Sequence, residues 1–427
     1  MRELAYGTLF TAEELQEIRS KFYYVDRDYE GNHRLFFDNA GGSLRLKAAQ
    51  EAFARIAAIP DASDHSNRVA RYLDDVEKTG RKDLLEVLFG AKSGVLYPSY
   101  TASQIMMEVG RVIAANAKGS NVVTTTLEHP SAYDAMTLAA EQSGRELRVA
   151  KVNPATGGVD ADEIISLIDE NTAIVCCMAA SNISGYIYDV EKVFAAAREK
   201  NPEAYLICDA VQHAPHGVLA PEKIGADLMH FAPYKFFGIR GFGVGYLSER
   251  AAKLFHNRLL GTAEDNWDLG SPAPAHYAAI SEIIGYVCSL GEKVLGEADR
   301  RTLFAKGMER IADHERALLE IMLNGTEKVC GLRQMQGLKV QMDGQDLRTR
   351  DFIIGIEFEN MTPQEAVAAY DAKGVITFER TKDSIYSSRM VRAFGSQGVV
   401  RVSPLHVNTA EEMEEFLQIT QELVKEH

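Results

Sequence analysis

The chain has 427 residues, 46% of them hydrophobic, with 61 acidic side chains against 46 basic ones and a net charge of −15. That balance argues against nucleic acid or an anionic membrane surface as the main partner, but not against a small anion held in a locally basic site. The five cysteines (Cys176, Cys177, Cys208, Cys288, Cys330) lack CxxC spacing, and the opening "MRELAYGTLFTAEELQEI" has no signal-like apolar core, so a soluble, cytoplasmic protein with reduced thiols is expected.

An N-terminal arm (1–30) leads into a segment where short apolar runs alternate with amphipathic stretches. The runs "GVLYP", "NVVTTT", "LRVAKV", "AIVCCM", "YLICDA", "LMHFA" and "GVGYL" predict strands. "SAYDAMTLAAEQSG" and "DVEKVFAAAREK" predict helices, the latter capped by Asp189. Runs that are apolar throughout predict strands covered on both faces, hence an α/β fold with a mostly parallel seven-stranded sheet in a large domain, 31–280. From Ser281 the texture changes. One long helical stretch to Leu323 is followed by mixed strands ("LKVQM", "FIIGIEF", "VVRVS") and helices ("TPQEAVAAYDAKG", "TAEEMEEFLQITQELV"), predicting a smaller C-terminal α+β domain, 281–427.

Ligands of such sheets gather at the carboxyl ends of strands. Ser99-Tyr100-Thr101-Ala102-Ser103 follows the first run and opens a helix, a pattern suited to phosphate. Glu128-His129, Ser181-Asn182, Asp209 with Gln212, and Tyr234-Lys235 follow later runs. An aspartate at one strand end and a lysine at the next suggest pyridoxal phosphate: lysine for the covalent bond, Asp209 for the pyridine nitrogen. His129 is then placed to stack on the ring, Asn182 and Gln212 to bond its phenolic oxygen, and the Thr101 turn to hold phosphate. Lys235 stands among aromatic residues and glycines, where desolvation lowers an amine's pKa and leaves a nucleophile and base.

The order of "FFDNAGGS", "TLEHPSAYD", "NPATGGVD", "AASNISGYIYDVEKV", "ICDAVQHAPHG", "GADLMHFAPYKFFG", "WDLGSPAPAHYAAI" and "VVRVSPLHVNTAEEMEEF" resembles a fold-type I pyridoxal phosphate enzyme of the class V aminotransferase family, close to cysteine desulfurase-like proteins. The resemblance implies catalytic roles for Lys235, Asp209 and His129. It implies cofactor contacts from Tyr100, Thr101, Ala102, Asn182, Gln212 and Tyr234, with Ser271 reaching the phosphate of the other subunit in a homodimer. Ala40, Gly41 and Arg401 fall on the substrate side, Arg401 gripping the α-carboxylate of an amino acid.

Two departures stand out. Ala232 replaces a hydroxyl residue that relatives carry before the Tyr–Lys pair. The stretch "ITFERTKDSIYSSRMVRAFGSQG" has no cysteine where desulfurases carry their nucleophile on a mobile loop. Persulfide chemistry on that stretch is therefore not expected. Two-substrate exchange fits an open, arginine-rich mouth, so the expected activity is transamination, with β-elimination by a C–S lyase or desulfurase-like lyase as the alternative. A catalytically silent sensor is disfavoured by the intact Lys235 and Asp209, and a nucleotide-dependent oxidoreductase by the lack of GxGxxG. His213, His216 and His230 complete no metal-ligand spacing and are expected to be structural. Arg380, Arg389 and Arg392 are expected in solvent, with contact of one of them to a distal acidic group of the substrate as the alternative. For Arg401 alone a solvent-facing edge position is an equal reading.

Overall fold

The computed structural model describes residues 4–60, 63–153, 158–271, 273–344 and 346–426. Part of the stretch "NPATGGVD" thus lies outside the described residues. All seven expected strands of the large sheet form. Across the sheet they run Val95–Ser99, Gly243–Leu247, Leu228–Phe231, Tyr205–Asp209, Thr172–Met178, Asn121–Thr125 and Glu146–Ala150. Every neighbouring pair is parallel except those made by Gly243–Leu247, which runs against both of its neighbours.

Alternation within the apolar runs explains the two-sided cover. Val122, Ile174, Cys176 and Ile207 pack on one face with Ile105, Met106 and Val109 of helix Ala102–Asn116. Val123, Val175, Cys177 and Leu206 point the other way, into a second cluster with Phe194 and Ile283. Both faces are apolar because both are buried.

A smaller antiparallel sheet runs Phe378–Thr381, Gly398–Val402, Ile354–Phe358, Leu338–Val340. Its core joins Ile354, Ile356, Val400 and Val402 to Leu318, Met322, Tyr370 and Phe416. Leu35 and Phe37 pack into that same cluster, and Leu35–Phe36 pairs in parallel with Val375–Ile376.

Two sequence expectations are corrected. The long helix is two helices, Pro274–Leu295 and Arg300–Asn324, and the first runs across position 280. Gly296 turns the chain at φ +67, and the Asp299 side chain then accepts from the Thr302 N–H to cap the second helix. The cysteine-free stretch 376–398 is not a plain loop: it holds the strand Phe378–Thr381 and the helix Ser388–Ala393. Among the described residues no helix is long and apolar enough to cross a membrane, and no metal-ligating cluster forms.

Candidate active site

The carboxyl ends of the parallel strands meet at a cavity of about 340 Å³. Tyr100, Thr101, Ala102, His129, Asn182, Asp209, Gln212, Tyr234 and Lys235 all line it, so residues far apart in sequence share one wall. Each arrives by its strand. Asp209 ends Tyr205–Asp209, while Lys235 follows Leu228–Phe231 in the single turn Pro233–Lys235.

Lys235 is buried, and its Nζ donates to Gln212 Oε1 at 3.2 Å. Burial, and next the positive charges of Arg401 and Arg380, push the amine down to about 7. Asp209 Oδ1 accepts from the Val211 N–H at 3.0 Å and lies 3.8 Å from His230 Nε2. His129 caps helix Pro130–Ser143; its Nδ1 accepts the Ser131 N–H at 3.2 Å, which leaves the ring proton on Nε2. Burial holds its pKa at about 4, so this imidazole is neutral.

The turn after strand Val95–Ser99 opens a helix. The Thr101 side chain accepts from the Gln104 N–H and caps helix Ala102–Asn116, leaving the first amides of the helix facing the cavity end. Gly243 lies directly beneath: a Cβ there would stand 2.6 Å from Ala102 N. The glycine-rich run therefore serves close backbone packing and does not form a dinucleotide loop.

Behind the cavity, Arg401 is only 1% exposed, which overturns the solvent-facing reading. Its Nη2 pairs with Asp38 Oδ1 at 2.6 Å and its Nη1 donates to the Asn182 carbonyl at 3.3 Å. Arg380 sits on the same face of the small sheet, because Phe378 opposes Arg401 and Arg380 lies two residues on. It is half-buried, and burial with the Arg401 charge pushes it down to about 9. Nε of both arginines is buried without a hydrogen-bond partner. Arg389 is not in solvent either: it donates to the carbonyls of Thr126 and Glu128. Only Arg392 of the three is exposed. Sequence reading missed Arg380 and Arg389 because nothing local separates a solvated arginine from one that crosses to another element.

Ala40 and Gly41 do not line the cavity. They form the turn Asn39–Gly41 beside Asp38, where Ala40 N–H donates to Ser403 Oγ at 3.0 Å. Ser271 is exposed and also lies outside, in an adjoining groove with Leu269, Gly270, Tyr100 and Phe242. His213 and His216 pair with Asp351 and Glu315, at 2.9 and 2.7 Å.

The class V aminotransferase family model matches residues 35–416. The chain belongs to that family. It is 23% identical over 442 aligned residues to a probable cysteine desulfurase of Borreliella burgdorferi, covering 97% of each, and 26% identical over 335 to a probable cysteine desulfurase of Mycobacterium leprae, covering 75% of this chain and 77% of the relative. Its fold superposes on a cysteine desulfurase of Thermococcus onnurineus with a TM-score of 0.80 at 21% identity, covering 99% of this chain and all of that one. A cysteine desulfurase of Escherichia coli gives 0.77 at 16%, covering 98% and 99%. The enzyme is a fold-type I protein that depends on pyridoxal 5'-phosphate.

The cavity fits that cofactor. Asn182 is buried with both side-chain heads unpaired, a costly state unless a ligand bonds them. A buried amine, a buried carboxylate and a helix N-terminus line the same space, matching an aldehyde carbon, a ring nitrogen and a phosphate.

Proposed function

We propose that this enzyme acts at Cα of a sulfur-bearing amino acid and expels a leaving group from Cβ, as a β-eliminating C–S lyase. The names of its relatives favour carbon–sulfur chemistry over the transamination expected from sequence. The observation that carries the lyase reading is the absence of a thiol: among the described residues no cysteine lines the cavity, and 376–398 contains none. Without a loop-borne nucleophile to take sulfur, the sulfur departs as sulfide or thiolate with the Cβ–S bonding pair, while the Cα–H pair becomes the Cα–Cβ double bond.

When bound, pyridoxal phosphate supplies an electron-withdrawing ring conjugated to the substrate nitrogen. Asp209 keeps the ring nitrogen protonated, His129 covers the ring face, and Asn182 and Gln212 hold its phenolic oxygen. Tyr100, Thr101, Ala102 and Tyr234 take the phosphate end. Lys235 Nζ, pushed down to about 7 and so about half neutral at that pH and mostly neutral by pH 8, removes the Cα proton as the Cβ–S bond breaks. The substrate carboxylate meets the unpaired Nε–H groups of Arg401 and Arg380, next to the Asn39–Gly41 turn. That adds Arg380 to the substrate-binding set.

A homodimer belongs to the same reading. The groove beside the cavity carries Tyr100 (76% exposed) and Leu269, and the nearby segment exposes Phe255 (89%) and Leu260 (94%). Such a patch favours cover by a second copy, with Ser271 delivered to the neighbouring phosphate. The cytoplasmic setting is supported by five free cysteines, four of them buried.

The test is incubation of the cofactor-loaded enzyme with the twenty amino acids and thio-amino acids, following pyruvate, sulfide or thiol, and pyridoxamine phosphate. Pyruvate with stoichiometric sulfide or thiol is expected. Pyridoxamine phosphate without either would make the enzyme a transaminase.

A further inference from the structure

We propose that Arg389 is a positioning residue for His129: it clamps the turn that carries the imidazole from outside the cavity. The inference rests on the reading of Lys235, Asp209 and His129 as a cofactor site, and it concerns a residue with no part in that chemistry.

The geometry is specific. Arg389 lies in helix Ser388–Ala393, in the cysteine-free segment. Its Nη1 donates to the Thr126 carbonyl and its Nη2 to the Glu128 carbonyl at 2.7 Å, while the guanidinium lies 3.8 Å from the centre of the Tyr133 ring. These contacts span the turn on both sides of His129, from the end of strand Asn121–Thr125 to the first turn of helix Pro130–Ser143. A planar fork with paired donors can hold two carbonyls and an aromatic face together, and a lysine cannot reproduce that.

Three further bonds make the clamp a closed unit. The Thr126 side chain donates to the Ala150 carbonyl at 2.8 Å, tying the turn to the edge strand. The Thr125 side chain donates to the buried Glu128 carboxyl at 2.8 Å, fixing the residue before the imidazole. On the other side, Ser387 Oγ donates to the Thr381 carbonyl at 2.9 Å, so the helix bearing Arg389 is braced against its own strand. The Ser131 N–H, donating to Nδ1 at 3.2 Å, further restrains the ring of His129. In this chain the stretch that lacks a nucleophile is fastened to the wall of the site. It thereby fixes where the imidazole of His129 stands in the cavity.

The test uses cofactor-loaded parent, Arg389→Ala, Arg389→Lys and the exposed neighbour Arg392→Ala. Two readouts need no turnover: hydrogen exchange of the amides of Leu127, Glu128, His129 and Ser131, and the visible circular dichroism of the bound cofactor, which senses the stacked ring. Arg389→Ala is expected to speed exchange by about tenfold or more at 127–131 and to lower the dichroism. Arg389→Lys should fall between it and the parent, and Arg392→Ala should match the parent. If Arg389→Ala fails to fold, the lysine variant carries the comparison alone. Faster exchange confined to 382–394 with unchanged dichroism would overturn the proposal, leaving Arg389 a tether of its own segment. Because neither signal depends on which amino acid is consumed, failure of the lyase reading would show separately, as absent pyruvate.

Discussion

Asp38 and Arg401 meet at 2.6 Å through a guanidinium that is almost wholly buried. A cation this far from water is tolerable only with a counter-charge and satisfied donors. Asp38 supplies the charge, the Asn182 carbonyl takes a second donor, and Nε is left over. Arg401→Ala should therefore weaken amino-acid binding by about 2–5 kcal/mol, measured as substrate affinity of the loaded enzyme. Asp38→Ala should instead lower the stability of the fold by about 3 kcal/mol or more, since it strands the cation. Unchanged amino-acid affinity in Arg401→Ala would put the carboxylate elsewhere.

Lys235 should capture cofactor in its neutral form. Its amine is pushed down to about 7, so the neutral fraction rises with pH through about 7 and is nearly complete by pH 8. An ordinary lysine would still be gaining at pH 10. Stopped-flow mixing of the apo protein with pyridoxal phosphate should show a rate that climbs from pH 6 to 8 and then levels. Lys235→Ala should give no borohydride-fixable cofactor at any pH. A rate still climbing at pH 9 would refute the lowered amine.

Asp209→Asn should leave the cofactor bound yet slow Cα–H cleavage by roughly 10²-fold or more, because a neutral amide cannot hold the ring nitrogen's proton. Exchange of the substrate Cα proton with deuterated water reads this step directly. Parent-like exchange in the variant would mean that another group, with His230 the nearest, serves the nitrogen.

Glu128 is fully enclosed, and burial raises its carboxyl to about 8. A carboxyl raised in the fold above its unfolded value contributes stability at low pH that is lost as pH climbs through about 8. Glu128→Gln removes that dependence. Its unfolding free energy relative to the parent should rise from pH 5 to about pH 8 and then level, a total change of ~3–5 kcal/mol by linkage. A constant difference across that range would show the carboxyl to be ionised throughout.

Dimerisation should be coupled to the cofactor. Light scattering at falling concentration should show a dimer that persists to lower concentration with pyridoxal phosphate than without it. Leu260→Asp, on the most exposed leucine of the patch, should shift the dimer toward monomer. A monomer with full cofactor affinity would remove Ser271 from the site.

The large sheet was legible because several of its strands are apolar throughout, and a run such as "AIVCCM" has few other ways to bury both faces. The cavity residues were legible for a related reason: polar side chains directly after such runs mark the open edge of a parallel sheet. The strand Phe378–Thr381 escaped because its inward face carries Arg380, so its sequence lacks the apolar alternation that signals a half-buried strand. The helix break carried a readable signal, Gly296 followed by Asp299, but the apolar periodicity on either side masked it. Contacts such as Arg389 with the Thr126 carbonyl join residues 263 apart, and no local pattern encodes them.

The reversed direction of strand Gly243–Leu247 governs where this chain can change length. The segment from Phe231 to Gly243 joins adjacent antiparallel strands, so it starts and finishes at one rim of the sheet and never crosses a face. The amine of Lys235 is thus suspended between two anchors on a short bridge. One residue inserted between Phe236 and Phe242 would have no helix to absorb it and would displace the nucleophile. At the opposite rim, the exposed turn at Pro202–Glu203, between helix Val190–Lys200 and strand Tyr205–Asp209, lies at the far end of its strand from Asp209. A loop or reporter domain spliced in there should leave the chemistry untouched.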